Sequence, residues 1–134
     1  MSLYVDSSAL LKRYVDEPDS AVAVELLESD PDLITGRHTV VEVRRNLARL
    51  LHPAALARVK HSFGTDLESF GIVELDEATC ELAATIAETA GVRSLDALHL
   101  SAARRVGGSA IGFLTFDLRQ AQAARALGFG VVGA

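Results

Sequence analysis

The sequence predicts an α/β fold: a three-layer α/β/α sandwich with a mainly parallel central sheet and helices on both faces. Short apolar runs of strand character alternate with helical patterns along all 134 residues. Strands separated by helices are joined by right-handed crossovers, which produce a parallel sheet covered on both sides. Because there is no repeat, low-complexity tract or long linker, we expect a single domain over residues 1–134.

Five strands are predicted where apolar and β-branched residues form short runs between polar or turn-forming residues. In chain order these runs are LYV (3–5), LIT (33–35), GIVEL (71–75), IGFLTF (111–116) and FGVV (129–132). The run IGFLTF has the strongest strand character. The last run is short and follows Gly128, which is expected to end the preceding helix.

Seven helices are predicted from apolar residues at helical spacing, bounded by residues that cap or interrupt a helix. Pro18 suits the first turn of the second helix, and His52-Pro53 separates the third from the fourth. Asp76 and Ser94 stand where the fifth and sixth helices need N-caps. The predicted ranges are about 8–15, 18–28, 39–51, 53–69, 77–90, 95–106 and 118–127.

The composition excludes several classes of protein. A hydrophobic content of 49% with 23% charged residues argues against disorder, and the apolar runs are far shorter than a membrane span. The N-terminus lacks a signal-peptide pattern. A single cysteine, Cys80, cannot form an internal disulfide, so we expect a cytoplasmic protein. Its helical context, ATCELAATIA, predicts that Cys80 is buried.

The net charge of −5 hides an alternation of acidic and basic blocks. Residues 16–32 carry seven acids and no Lys or Arg, whereas residues 33–65 carry six Lys or Arg against one acid. Residues 66–96 are acidic again, and the C-terminal part is basic. Local patches govern binding of a polyanion more than the mean charge does. The alternative is that these blocks are ordinary solvated helix faces, and the sequence leaves both readings open.

Four acids stand apart because each lies against apolar neighbours at the end of a strand or near the start of a helix: Asp6, Glu42, Asp96 and Asp117. Each has a simple alternative role, as a helix cap, a partner of the helix dipole or a member of an ion pair. Ligands of parallel sheets bind outside the carboxyl ends of the strands. The predicted fold brings all four acids to that edge, which capping alone does not explain.

Carboxylates gathered without a neighbouring lysine repel one another, and a divalent cation relieves that repulsion. Oxygen ligands select hard ions such as Mg²⁺ or Mn²⁺, and the sequence has no His/Cys spacing typical of zinc. Magnesium retains waters and lowers the pKa of a bound water. The residues therefore point to hydrolysis of a phosphodiester or phosphoryl group.

The stretches VDSSALLK, TVVEVRRNL, LDALHLSAA and LTFD, in this order and at this spacing, resemble the PIN-domain nucleases, in particular the VapC-type toxins of bacterial toxin–antitoxin pairs. The resemblance covers essentially the whole chain and implies a PIN-domain-like α/β/α sandwich. It assigns the catalytic acids to Asp6, Glu42, Asp96 and Asp117, with Asp6, Asp96 and Asp117 as metal ligands. Thr115 matches the threonine of the T-x-D motif, as a hydroxyl ligand or a hydrogen-bond partner.

By the same resemblance the expected activity is that of an Mg²⁺-dependent endoribonuclease, with Mn²⁺ as a substitute. Such an enzyme is usually a homodimer that a cognate VapB-type antitoxin silences. Around the site, Ser8 is a candidate supporting residue and His99 is either a structural or a site histidine. Arg44, Arg45 and Arg49 are candidate RNA-binding residues, with solvated surface pairing as their alternative.

Three other functions are alternatives to an Mg²⁺-dependent endoribonuclease. A phosphate-accepting receiver domain requires an acidic pair after the first strand and a lysine after the last, and neither is present. A catalytically silent PIN-fold binding module is disfavoured by the complete set of four acids. A PIN-fold nuclease that acts on DNA, or in another RNA-processing role, remains open.

Overall fold

The computed structural model describes residues 2–134, which form five strands, seven α-helices and a short 3₁₀ turn at Gly108–Ala110. The strands are β1 (Ser2–Val5), β2 (Asp32–Gly36), β3 (Gly71–Val73), β4 (Gly112–Thr115) and β5 (Gly130–Gly133). The helices are α1 (Ser7–Leu11), α2 (Ser20–Glu28), α3 (Arg37–Leu50), α4 (Pro53–Leu67), α5 (Glu77–Ala90), α6 (Ser94–Gly107) and α7 (Leu118–Ala126).

The five strands make one sheet in the order β3-β2-β1-β4-β5, and every pairing in it is parallel. Strand β1 lies at the centre, with Leu3 opposite Leu33 of β2 and Gly112 of β4. All strands therefore end at the same edge. The ends of β1 and β4, next to each other in the sheet, place Asp6 and Asp117 at that edge.

The sheet is covered on both faces because its central strands alternate between two cores. Tyr4 and Phe113 face one core, which they share with residues of α5, α6 and α7. Leu3, Val5 and Leu114 face the other core, which includes residues of α1, α2, α3 and α4. This arrangement confirms the predicted three-layer α/β/α sandwich with a parallel sheet.

Some details differ from the sequence-based expectations. Helix α1 ends at Leu11 and is followed by turns, and Pro18 precedes α2 instead of lying in its first turn. The backbone N–H of Glu17 donates to the Ser20 hydroxyl, which donates to the Val15 carbonyl, and α2 starts at Ser20. The predicted burial of Cys80 is wrong: the side chain is exposed on the outer face of α5.

Of the two expected N-caps, Asp76 is confirmed and Ser94 is wrong. Asp76 caps α5 by accepting a hydrogen bond from the Thr79 amide, whereas Ser94 is the first residue of α6 and Arg93 precedes it as the N-cap. None of the helices in residues 2–134 combines the length and apolar character that crossing a bilayer requires.

Candidate active site

Asp6 lies at the carboxyl end of β1 and caps α1. One of its oxygens accepts hydrogen bonds from the Ala9 amide at 3.1 Å and the Ser8 hydroxyl at 2.7 Å. The other accepts from the Thr115 hydroxyl at 2.5 Å. The side chain is only 3% exposed, and this burial raises the pKa of Asp6 despite the opposing effects of His99 and the hydrogen bonds. Asp6 is thus a buried, precisely held carboxylate.

Thr115, at the end of β4, connects Asp6 to Asp117. Its hydroxyl oxygen accepts a hydrogen bond from the Asp117 amide at 3.1 Å while its proton is donated to Asp6. Ser8 supports the same junction, since its hydroxyl accepts from the Phe116 amide at 3.0 Å and lies 3.3 Å from the Thr115 hydroxyl. The ends of the two adjacent strands are therefore fastened together by side-chain hydroxyls.

Asp117 caps α7 with one carboxylate oxygen, which accepts from the amides of Arg119 at 2.9 Å and Gln120 at 3.2 Å. Its other oxygen lies 3.7 Å from the Arg93 guanidinium. The same guanidinium donates to Asp96, in the first turn of α6, at 3.1 Å. Arg93 thereby bridges two of the predicted metal ligands. The expectation of mutual repulsion rests on the absence of a neighbouring lysine and does not include this arginine.

Glu42 lies in the middle of α3 and faces α6. One of its oxygens lies 2.7 Å from His99 Nε2, and His99 Nδ1 lies 2.8 Å from the Tyr4 hydroxyl on β1. Burial by itself raises the pKa of Glu42, but the hydrogen bond and the electrostatic attraction of His99 outweigh it and lower the pKa. Glu42 is held ionised. His99 is both a buried structural residue and a partner of a predicted catalytic acid.

His38, one turn before Glu42 on α3, completes this second group. Its ring centroid lies 4.1 Å from that of His99, and its Nε2 lies 4.0 Å from Glu42. The side chain is 6% exposed, and neither ring nitrogen has a hydrogen-bond partner within the described chain. Burial lowers the pKa of His38 to about 4, so the ring is neutral at neutral pH.

The predicted site residues thus form two groups. Asp6, Thr115, Asp117, Arg93 and Asp96 make one continuous chain of hydrogen bonds and ion pairs. Glu42 belongs to the second group, with His38, His99 and Tyr4. His38, Glu42 and His99 each place a possible metal-ligand atom within 4.8 Å of the other two. No other three His, Cys, Asp or Glu side chains in residues 2–134 do so. The oxygens of the three aspartates are more widely spread.

The three predicted RNA-binding arginines of α3 are all exposed, and Arg45 and Arg49, one turn apart, share a face of the helix. Arg49 follows the Glu42 face: it donates to the Asn46 side chain at 2.9 Å, and Asn46 donates to the Glu42 carbonyl at 3.0 Å. Arg44 and Arg45 line a groove between α3 and α4 whose other walls are Val40, Val41, Ala48, Leu56 and Lys60. The exposed arginines therefore extend from this groove along α3 toward Asn46.

Sequence reasoning missed Arg93 and His38. Arg93 stands three residues before Asp96, at a spacing that favours an ion pair in a helical turn, and this was the available signal. His38 stands one turn before Glu42, but its partner His99 is on α6. Only the tertiary contact between α3, α6 and the sheet brings the two histidines together, so no local spacing could reveal the pair.

Comparison with known proteins identifies the family. A family model for the PIN domain matches residues 3–126. This chain belongs to the PIN-domain family. Ribonuclease VapC47 of Mycobacterium tuberculosis is 33% identical over 131 residues, which cover 95% of this chain and 93% of that relative. The resemblance inferred from the four sequence motifs is thereby confirmed, and the chain is a VapC-type PIN domain.

Solved structures share the fold at low sequence identity. One is VapC20 of Mycobacterium tuberculosis, described as a sarcin-ricin loop cleaving toxin, with a TM-score of 0.76, 17% identity and coverage of 90% of this chain and 94% of that one. Another is a toxin–antitoxin complex from Klebsiella pneumoniae, with a TM-score of 0.66, 15% identity and 87% coverage of both chains. These likenesses establish the architecture of the PIN domain.

Proposed function

We propose that this VapC-type PIN domain is a cytoplasmic, Mg²⁺-dependent endoribonuclease and the toxin of a type II toxin–antitoxin pair. The observation that carries the proposal is the continuous network through Asp6, Thr115, Asp117, Arg93 and Asp96 at the carboxyl edge of the sheet. The ribonuclease name of its relative VapC47 supports the choice of RNA as substrate.

The carboxylates of Asp6, Asp96 and Asp117, here called the aspartate group, fit a hard divalent cation. Asp6 is a buried carboxylate whose hydrogen bonds come only from hydroxyls and one amide, and Asp96 and Asp117 share a single guanidinium that is 67% exposed. A cation held by Asp6, Asp96 and Asp117 adds the positive charge that this group lacks. Oxygen donors suit Mg²⁺, with Mn²⁺ as a substitute. When bound, the ion supplies a water of lowered pKa and neutralises phosphate charge.

The chain's own residues then divide the remaining work. Thr115 holds Asp6 and Asp117 next to each other, and Ser8 supports the same junction. His99 holds Glu42 ionised, which makes the Glu42 carboxylate a base able to take a proton from water. The arginines on α3 hold the RNA backbone through its phosphates, which positions the strand without reading its sequence.

The partner follows from the relatives. The Klebsiella pneumoniae neighbour is a toxin–antitoxin complex, and the curated relative carries the VapC name. We therefore assign a VapB-type antitoxin to this chain. A homodimeric assembly is a further proposal, which rests on the family resemblance alone. The apolar and basic groove between α3 and α4, with Val41 exposed beside Arg44 and Arg45, offers mixed hydrophobic and cationic contacts for an acidic partner segment.

The test compares two helix-capping aspartates. Asp6→Asn removes a proposed metal ligand, whereas Asp76→Asn changes a cap of α5 outside the aspartate group; asparagine caps a helix about as well as aspartate. Purified proteins are incubated with single-stranded RNA and DNA panels in Mg²⁺ or EDTA. We expect Mg²⁺-dependent cleavage of RNA by the wild type and Asp76→Asn, and its loss in Asp6→Asn with folding retained.

Each other outcome has a definite meaning. Equal cleavage by wild type and Asp6→Asn overturns the assignment of Asp6, and cleavage in EDTA overturns metal dependence. Cleavage of DNA alone selects the DNA nuclease, and salt-sensitive RNA binding without cleavage selects the silent binding module. Expression of the wild type without its antitoxin is expected to arrest growth, while Asp6→Asn does not. Growth arrest by both proteins contradicts a toxin that acts through this site.

A further inference from the structure

The second group of residues contains a complete ligand set that the proposed Mg²⁺ site does not use. His38 and Glu42 lie one turn apart on the same face of α3, and His99 approaches them from α6. Two imidazoles and one carboxylate are the protein ligands of a common type of zinc site, whose fourth position is taken by water. Imidazole nitrogen selects borderline ions such as Zn²⁺ or Co²⁺ over Mg²⁺.

His38 provides an independent indication that this group has a ligand-binding role. The side chain is 94% buried by its exposed fraction of 6%, yet neither of its ring nitrogens has a hydrogen-bond partner in the described chain. An unpaired buried polar group is costly, and native proteins rarely retain one without a water, an ion or a function. Its Nε2 lies 4.0 Å from Glu42, too far for a hydrogen bond but close enough to share an ion.

His99 has the outer contact that metal-binding histidines usually show. Its Nδ1 is fixed at 2.8 Å from the Tyr4 hydroxyl, so the ring orientation is set and Nε2 is directed at Glu42. In the absence of an ion, the Nε2 proton occupies the space between His99 and Glu42. When an ion binds at Nε2, this proton is carried on Nδ1 instead, and the Nδ1–H donates to the Tyr4 hydroxyl oxygen, so the contact remains with its direction reversed.

The distances require only small movements. The three ligand atoms lie within 4.8 Å of one another, and the His99–Glu42 pair is at 2.7 Å. Bond lengths near 2.0–2.1 Å in a tetrahedral site place two ligand atoms about 3.3 Å apart. The ligand atoms of His99 and Glu42 must therefore separate slightly, and those of His38 and Glu42, at 4.0 Å, must approach. Side-chain rotation on α3 and α6 can supply both movements.

We propose that His38, Glu42 and His99 form a second cation site, which binds a borderline transition-metal ion of the Zn²⁺ class and is distinct from the aspartate site. This site does not depend on the nuclease function proposed above. An ion bound there, however, uses the Glu42 carboxylate as a ligand, and its binding would therefore control the predicted catalytic base.

The test measures binding in excess Mg²⁺, which saturates hard-ion sites. Protein stripped with EDTA and dialysed is titrated with Zn²⁺ by calorimetry and with Co²⁺ by visible absorption, which reports a tetrahedral nitrogen and oxygen environment. His38→Leu and His99→Gln each remove one ligand. The matched control is the double variant His52→Ala/His61→Ala, since these two histidines are exposed and lie outside the group, His52 as the N-cap of α4 and His61 within α4.

We expect the wild type and the double control to bind a single Zn²⁺ tightly, with a rise in melting temperature. Each ligand variant is expected to lose at least about tenfold in affinity and to lose the Co²⁺ spectrum. Thermal melts without metal establish that each variant is folded, and either ligand variant suffices if the other does not fold. Absence of Zn²⁺ binding in the wild type, or equal binding by the ligand variants, overturns the site.

Discussion

The substitution Tyr4→Phe removes one oxygen atom from the centre of the protein. The Tyr4 ring is fully buried and stacks on Phe113 with a centroid distance of 5.2 Å, and phenylalanine keeps that contact. What is lost is the hydroxyl, which lies 2.8 Å from His99 Nδ1. His99 is 2% exposed, so water cannot easily replace the missing partner.

The size of the effect follows from that burial. A buried group left without its hydrogen-bond partner costs about 1–3 kcal/mol of the free energy of unfolding. For a chain of this length, each kcal/mol lowers the melting temperature by roughly 4 °C, so a fall of about 4–12 °C is expected. Because His99 also holds Glu42, we expect RNA cleavage to slow as well.

Tyr14→Phe is the matched control, since Tyr4 and Tyr14 are the two tyrosines of the sequence. The Tyr14 hydroxyl donates to Asp66 at 2.6 Å in a partly exposed position, where water can take its place. Its loss should cost about 1 kcal/mol or less and leave cleavage unchanged. Equilibrium urea unfolding measures both variants. If Tyr4→Phe costs less than about 0.5 kcal/mol, as a typical surface substitution does, the buried network is not stabilising in the way described.

Three further outcomes are expected. Arg93→Gln removes the guanidinium that competes with a cation for two carboxylates, so the Mg²⁺ concentration for half-maximal cleavage should fall. The free energy of unfolding should change by less than about 1 kcal/mol, because the Arg93 side chain of both ion pairs is exposed. A higher Mg²⁺ requirement would contradict this expectation. Burial lowers the pKa of His38 from 6.5 to about 4, so the unfolded state binds the proton more tightly. The free energy of unfolding that neutral His38 contributes above pH 6.5 is therefore lost as the pH falls toward 4, by up to about 3 kcal/mol. Urea unfolding in EDTA should accordingly depend less on pH for His38→Leu than for the wild type. Gly36→Ala should destabilise the fold by about 1–3 kcal/mol, because the added Cβ would lie 2.5 Å from the His38 ring. Gly64→Ala, which meets open space in α4, should stabilise the fold by about 0.5–1 kcal/mol. Equal shifts in melting temperature for the two variants would contradict the packing argument.

The architecture could be predicted from sequence because its signals are local and repeated. Each strand is a short apolar run, and each helix has apolar residues at helical spacing, so alternation alone implies a parallel sheet. Boundaries were less predictable where a side chain outside the helix decides them. At α2, the hydrogen bonds of Ser20 to Glu17 and Val15 fix the start of the helix, and the position of Pro18 gave a misleading signal.

The position of Asp6, Asp96 and Asp117 at the carboxyl edge of the sheet could also be predicted, because each of these acids follows a strand or opens a helix; their role as metal ligands stays a prediction. The environment of Glu42 could not be predicted in this way. Helical spacing favours Arg45 and Asn46, one turn later on α3, as partners of Glu42, but the carboxylate is hydrogen-bonded to His99 of another helix. Whether a histidine of one helix meets an acid of another depends on how the helices cross the sheet, which no pattern along a single helix reveals.

The two readings of Asp6 and Asp117, as helix caps and as members of a site, are compatible because the two oxygens of each carboxylate have separate partners. In Asp6, one oxygen receives the Ala9 amide and the other faces Thr115. In Asp117, one oxygen receives two amides of α7 and the other faces Arg93. Capping thus fixes the orientation of each carboxylate through one oxygen and leaves the second directed at the shared edge of the sheet. A helix cap at the end of a parallel strand is therefore a means of holding a charged oxygen still before any ion or substrate arrives.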